Sequence, residues 1–334
     1  MKPSPIAICL LLAVAGAHAG DAAPDSDAAR VRVRIAPGQP VAIAVQPDAQ
    51  REAAPPAEPH RAAKRSIDMS RAVDSAALHL RSASVLVIDQ DSGRAVVARN
   101  PDAVTPIASI TKLMTALVVA DAHQPLDEVL QVSAEDRAIG KGAASRLAIG
   151  TRLTRGELLH LALMSSENRA AHALGRNYPG GVPAFVRAMN DKARSLGMTA
   201  TRFVEPTGLS SDNVASPEDL SRLVMAAAQN PTIRDFSTDT ELSVRVGRRM
   251  VEFRNTDALV RNPTWDIIVQ KTGYITEAGR CLVMQAVIGG RDVVIVLLNS
   301  FGKYTRVADA VRVRRWIEAR MNEHGAHVIA SNAT

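Results

Sequence analysis

The chain has 334 residues, 22% of them charged and 46% hydrophobic, with a formal charge of +6. Aromatic residues make up only 3%, which argues against a base-stacking surface, so no nucleic-acid partner is expected. The basic excess suits an acidic polymer or a plain solubilising surface, and charge alone does not choose between them.

The N-terminus reads as a secretory signal over residues 1–19. Met1-Lys2 supplies the charge, residues 6–15 the apolar run, and Ala17-His18-Ala19 a small-x-small cleavage site. The run is too short to span a bilayer. Cys9 lies inside it without a lipobox, so no lipid anchor is expected, and the mature chain keeps only Cys281. An exported chain with one cysteine has no internal disulfide and must rely on its core. The expected location is the periplasm.

Residues 20–75 form a Pro/Ala-rich tether, expected to be disordered, with prolines at 24, 37, 40, 47, 55, 56 and 59. A short alternating piece covers 30–35, and a helical pattern is expected over 66–80. One folded domain is expected over 76–323, followed by a flexible tail, 324–334.

The domain opens with two strands, 84–89 and 94–99, around the turn Asp91-Ser92-Gly93. A helix follows, entered past Pro106, with a long apolar stretch through Ala120. A helical lobe occupies about 132–238. Within it, Thr154 and Glu157 form a capping box, residues 185–196 have helical periodicity, and Ser216-Pro217 starts another helix. Strands return over 242–246, 250–253, 266–272, 280–288 and 291–299, the last two joined by Gly289-Gly290, a hairpin signal. A helix over 305–323 closes the domain. The order predicts an α/β fold, an antiparallel sheet flanked by helices with an all-helical lobe and a cleft between.

Three motifs carry chemistry. Ser109 and Lys112 are three apart at a helix start, so they share a face. A serine hydroxyl needs a base to become a nucleophile, and lysine is one only if burial or another cation destabilises its ammonium. Ser166 and Asn168 follow the apolar helix and can turn into the cleft. Lys271-Thr272-Gly273 ends a strand, Lys271 and Thr272 on opposite faces, with Gly273 allowing close backbone approach by a substrate. Each pattern alone has an ordinary structural reading. Ser300/Lys303 repeats the first, but Gly302 interrupts it. Ser211/Asn213 repeats the second in a loop before a helix cap.

The order of the three resembles the penicillin-recognising serine acyl-transferases. Segments 107–116, 163–171 and 202–209 resemble the low-molecular-mass serine D-alanyl-D-alanine peptidases. Ser300-Phe301-Gly302-Lys303-Tyr304-Thr305 resembles their endopeptidase branch, the penicillin-binding protein 7 type. The resemblance spans about 83–318 and implies a penicillin-binding/serine β-lactamase-like fold. It also implies roles. Ser109 attacks the D-Ala carbonyl, Lys112 takes its proton, and Lys271 is the second cation that lowers the Lys112 pKa. Ser166 relays a proton to the leaving nitrogen and Asn168 holds the substrate amide. Lys271 and Thr272 bind the carboxylate beside the leaving amine, and the N–H groups of Ser109 and Tyr274 hold the oxyanion, with Gly273 between. The partners implied are peptidoglycan peptide stems and β-lactam inhibitors. No metal or organic cofactor is expected.

Four functions fit to different degrees. A DD-endopeptidase cutting the D-alanyl-diaminopimelate cross-link and a DD-carboxypeptidase removing terminal D-Ala use the same motifs. Only about sixty residues follow Gly273, leaving no room for an extra β domain and a terminal anchor, which favours the endopeptidase. In the closing helix, Val307, Val311, Ile317 and Met321 oppose Arg306, Arg312, Arg315 and Arg320, which reads as core packing rather than a stable membrane anchor. A class A β-lactamase needs Glu with Asn four residues on, and Leu209 stands where Glu205 would require Asn. A non-catalytic penicillin-binding module would have lost a polar motif residue. His160, His172, His324 and His327 lack zinc-peptidase spacing and read as surface or helix histidines.

Overall fold

Gly289 and Gly290, both left-handed at φ 60° and 76°, close the two-residue turn expected of them. That turn fixes the register of one of the long strand pairs in the main sheet. The computed structural model describes residues 72–137 and 145–331, with side chains to residue 321. The signal, nearly all of the tether and residues 332–334 lie outside the described residues.

In chain order the elements are β1 (Val73–Asp74), β2 (Ser82–Asp89), β3 (Arg94–Arg99), β4 (Thr105–Pro106), α1 (Thr111–Asp121), β5 (Val129–Gln131) and β6 (Arg152–Thr154). There follow α2 (Arg155–Met164), α3 (Asn168–Arg176), α4 (Gly181–Ser195), β7 (Val214–Ala215), α5 (Pro217–Ala228) and α6 (Pro231–Thr238). The chain closes with β8 (Glu241–Val246), β9 (Arg249–Arg254), β10 (Asp266–Ile275), β11 (Gly279–Ile288), β12 (Arg291–Ser300) and α7 (Thr305–Ser331).

The main sheet has six strands in the order β1-β3-β2-β12-β11-β10. All neighbours are antiparallel except β1, which joins β3 in parallel. The N-terminal hairpin and the C-terminal meander thus meet in one sheet, with β10 at its edge. Side chains alternate between two cores. Cys281 and Val283 face a core shared with Leu113, Leu220 and Val224, and Leu282 and Met284 face one shared with Ala310, Val313 and Ile317 of α7. The closing helix therefore packs on the sheet, as its stripe suggested, and it runs past 323 to Ser331.

The expected hairpin turn, capping box and proline start are all present. Thr154 Oγ1 accepts from Glu157 N at 3.0 Å while the Glu157 carboxylate accepts from Thr154 N at 2.7 Å. Ser216 caps α5 with Pro217 in the first turn. The lobe carries the short pair β5–β6 besides its helices. The helix expected over 66–80 is not found in its described part. Val73–Asp74 is strand, and Ser75–Leu78 is a single 3-10 turn capped by Asp74 and ended by left-handed His79. Pairing with β3 and burial of Leu78 and Leu80 under the sheet outweigh a weak helical pattern.

Helix α1 is buried on all sides from Thr111 to Val119. A helix this surrounded serves as a central post, and its one lysine is carried into the interior with it.

Candidate active site

Ser109 lies in the 3-10 turn Ala108–Ile110 that leads into α1. Ala108, just before it, is left-handed at φ 49° without being glycine. Backbone strain of this kind, held by surrounding structure, is typical of functional turns. Two glycines press on the turn. At Gly208 (φ 79°) an added Cβ would stand 1.9 Å from Ala108 O, and at Gly273 it would stand 3.0 Å from Ile107 O and 3.2 Å from Ser109 N. At Gly273 the chain's own backbone makes a close approach on the side where a Cβ would stand.

One turn further, Lys112 is fully buried. Its Nζ donates to Ser109 Oγ at 2.9 Å, Asn168 Oδ1 at 2.8 Å and Thr207 O at 2.6 Å. Burial pushes its pKa down to about 7, against the opposing pull of the Glu205 and Glu167 carboxylates. Lys271 is also fully buried, and its own pKa falls well below the usual range through burial first, then through repulsion by Lys112 and Arg306. Burial dominates the shift of both lysines, and the two ammonium groups disfavour each other.

The Ser-x-Asn segment turns as its spacing suggested. α2 stops at Met164, Ser166 is left-handed at φ 61°, and Asn168 opens α3. Asn168 reaches Lys112 directly. Among the described residues no hydrogen bond ties the Ser166 hydroxyl. Glu167 is turned away and buried. It accepts from Ser145 Oγ at 2.6 Å and Arg146 N at 3.1 Å, which fastens the 145–147 segment beside α3.

On the other wall, β10 continues through Tyr274, beyond the expected end at 272. Lys271 Nζ donates to Thr272 O at 3.1 Å. Thr272 Oγ1 is 2.6 Å from Thr256 Oγ1, and Thr256 N donates to Met164 O at 3.1 Å. The end of α2 and the edge strand are thereby joined through one threonine. Tyr274 is exposed, with the Arg280 guanidinium 4.6 Å from its ring centre.

Several residues that the sequence did not place in the catalytic set complete the site. Glu205 accepts from the N–H groups of Thr207 at 2.6 Å and Gly208 at 2.5 Å and from Asn213 Nδ2 at 3.0 Å, so it shapes the loop that offers Thr207 O to Lys112. Asn213, fully buried, also donates to Thr111 Oγ1 at 3.1 Å. Its reading as a structural residue holds. Arg306, in the first turn of α7, has buried Nε and Nη1 atoms without partners and lies within electrostatic reach of Asp257 and Lys271. Burial pushes its pKa down and that of Asp257 up. The second Ser-x-x-Lys copy is structural. Ser300 is buried, 2.5 Å from Ser82 Oγ, which donates to Asp309 at 2.7 Å.

His160 on α2 and His172 on α3 are helix histidines with carboxylate partners. His160 stacks on Phe236 at 4.4 Å and pairs with Asp239 at 3.2 Å, and His172 binds Asp136 at 2.8 Å. No cluster of three His, Cys, Asp or Glu able to hold a metal occurs among the described residues. Nor does any described helix have the length and apolarity to cross a membrane.

Known proteins resemble this chain in sequence and in fold. The S11 peptidase family model, described as D-alanyl-D-alanine carboxypeptidase, matches residues 70–302. The D-alanyl-D-alanine endopeptidases of Pseudomonas aeruginosa and Escherichia coli are 52% and 48% identical over 241 residues, 72% of this chain and 78% of each of those proteins. Among solved structures, the Streptomyces K15 DD-transpeptidase superposes with a TM-score of 0.66 at 26% identity, covering 71% of this chain and 97% of that one. A D-alanyl-D-alanine carboxypeptidase from Mycobacterium tuberculosis gives 0.65 at 27% identity, covering 72% and 92%.

Proposed function

This chain belongs to the S11 family of D-alanyl-D-alanine peptidases, and from that membership we propose that it is a serine DD-endopeptidase cutting the D-alanyl-diaminopimelate cross-link of peptidoglycan. The observation that carries the chemistry is the 2.9 Å contact between Ser109 Oγ and a fully buried lysine whose pKa is about 7.

Ser109 Oγ attacks the D-Ala carbonyl carbon as neutral Lys112 takes the hydroxyl proton. The oxyanion forms against the N–H groups of Ser109 and Tyr274, which are fixed before the reaction and need no reorganisation. Ser166 passes a proton to the departing nitrogen, and the C–N bond breaks to leave an acyl-Ser109 ester. Asn168 orients the substrate amide while bonded to Lys112. Lys271, Thr272 and Arg306 hold the leaving-group carboxylate, and Gly273 keeps this strand against the nucleophile turn. Water then adds to the ester with Lys112 again as base. Residues 1–19 direct export and 20–75 tether the 76–323 domain within the periplasm. β-Lactams acylate Ser109 by the same first step.

Glu205 does not act as a deacylation base in the class A β-lactamase manner, because backbone N–H groups and Asn213 occupy its carboxylate. The carboxypeptidase reading shares every residue above. The endopeptidase is favoured because the 52% and 48% identical relatives carry that name. Digestion of cross-linked dimer muropeptide beside pentapeptide monomer, with products separated by mass, tests the choice. Faster conversion of dimer to monomers is expected, and faster release of D-Ala from pentapeptide would make the chain a carboxypeptidase.

A further inference from the structure

Phe, Tyr and Trp make up 3% of the chain, yet its exposed aromatic side chains gather in one place. Among the described residues these are Phe301 at 92% exposure, Tyr304 at 69% and Tyr274 at 55%. Register explains the gathering. Tyr274 pairs with Arg280 across β10–β11, and Arg280 pairs with Ser300 across β11–β12. Phe301 therefore leaves the sheet at the end where Tyr274 leaves it, and Tyr304 follows as α7 begins.

Cations line the same rim. Arg280 lies over the Tyr274 ring, and Lys303 Nζ is 5.3 Å from the centre of the Tyr304 ring. Arg306 stands within electrostatic reach of Arg280 and of Lys271. Nothing in the core calls for these aromatics, and leaving such area in water is unfavourable. An exposed apolar patch rimmed by charge marks a binding surface, and aromatic residues with arginine are the residue types that anchor one.

We infer that Tyr274, Arg280, Phe301, Lys303 and Tyr304 form a subsite for the carboxylate-bearing peptide stem that departs with the amine of a cross-link. The inference rests on the endopeptidase reading. The rim continues directly from Thr272, which marks the leaving-group side of the cleft. A terminal D-Ala ends at Thr272 and reaches no further. A diaminopimelate leaving group goes on into a second stem, whose carboxylates meet Arg280 and Lys303 and whose alkyl chain packs on the aromatic faces. The rim thereby adds binding for cross-linked substrate alone and acts as a specificity determinant rather than as part of the chemistry.

The test uses the full chain and two variants, Phe301→Ala/Tyr304→Ala and Lys303→Glu. These side chains are exposed, so folding is not at stake, and melting temperature checks it. For cross-linked dimer muropeptide, kcat/KM should fall about tenfold, mostly through KM, equivalent to about 1.4 kcal/mol. For pentapeptide, kcat/KM should stay within about twofold, as should the penicillin acylation rate. Wild-type cleavage of dimer with the variants unimpaired overturns the subsite alone, as does an equal loss on both substrates. A wild-type chain that trims pentapeptide but leaves dimer intact overturns the endopeptidase reading and the subsite with it.

Discussion

Lys112 Nζ sits 2.9 Å from Ser109 Oγ in a position with no solvent exposure. An ammonium there is fully desolvated, and its three hydrogen-bond acceptors and the Glu205 and Glu167 carboxylates compensate only in part. The neutral amine is therefore accessible near pH 7, and a neutral amine beside a hydroxyl is a base.

Labelled penicillin should mark the protein covalently, and Ser109→Ala should abolish the label. Ser300→Ala should keep it. Ser300 is bonded to Ser82 under α7, so its loss should cost about 1 kcal/mol of stability, not acylation. Gel fluorescence reads both variants, and a labelled Ser109→Ala protein would remove Ser109 from the mechanism.

Acylation should follow the neutral fraction of Lys112. The acid limb of its rate should fall near pH 7, with the rate rising as pH rises through that value. Lys112→Arg should lose acylation although it keeps the charge, since guanidinium does not deprotonate. Glu167→Gln removes a negative charge that favours the ammonium, so the limb should move to lower pH. Stopped-flow acylation across pH 5–9 measures all three, and a limb that moves upward in Glu167→Gln would contradict the sign.

Much of this site is legible in the chain because its motifs are short. Ser109/Lys112, Ser166/Asn168 and Lys271-Thr272-Gly273 each need only local spacing and a helix start, a helix end or a strand end, and periodicity supplies those. The hairpin at Gly289-Gly290 and the cap at Thr154 are local in the same way. What was not legible comes from contacts between distant segments. Thr207 O reaches Lys112 across 95 residues, Asn213 reaches Thr111 across 102, and Thr256 reaches Met164 across 92. Arg306 is one basic residue among forty, distinguished only by where α7 docks. Gly273 signals a close backbone approach in the sequence, and only the fold shows that Ile107 O and Ser109 N line one side of it.

The lobe should depend on Asp136 in an acid-sensitive way. Its carboxylate is buried, which alone would raise its pKa. Hydrogen bonds from His172, Arg176 and the Ser133 N–H overcome this and hold it at about 2, against an ordinary 3.8. The unfolded chain takes up this proton first, so the contribution is present above about pH 4 and is lost as pH falls towards 2. It is on the order of 1–2 kcal/mol. Asp136→Asn should lower the melting temperature by several degrees at pH 7, and the gap should close at the acid end. A gap that is constant with pH would show that packing, not charge, is what Asp136 supplies.

Gly208 offers the sharpest test of how the nucleophile turn is held. Its φ of 79° lies where a side chain is strained, and an added Cβ would stand 1.9 Å from Ala108 O. No flexible side chain can yield there, because the obstructing atom is backbone. Gly208→Ala must push the 205–210 loop away from Ala108, carrying Thr207 O from Lys112 and loosening the turn that presents Ser109. The stability cost should be about 1–3 kcal/mol from the backbone strain. Acylation should fall more steeply than stability, by about a hundredfold, because a displacement of about 1 Å at the nucleophile is enough for that. Gly197→Ala is the control. It has a similar φ of 72° but no neighbour within 4 Å of the added Cβ, so it should share the strain cost and keep its acylation rate. Penicillin acylation rates and melting temperatures for the two variants separate the effects. Equal loss of acylation in both would mean that the Gly208 contact does not hold Ser109 in place.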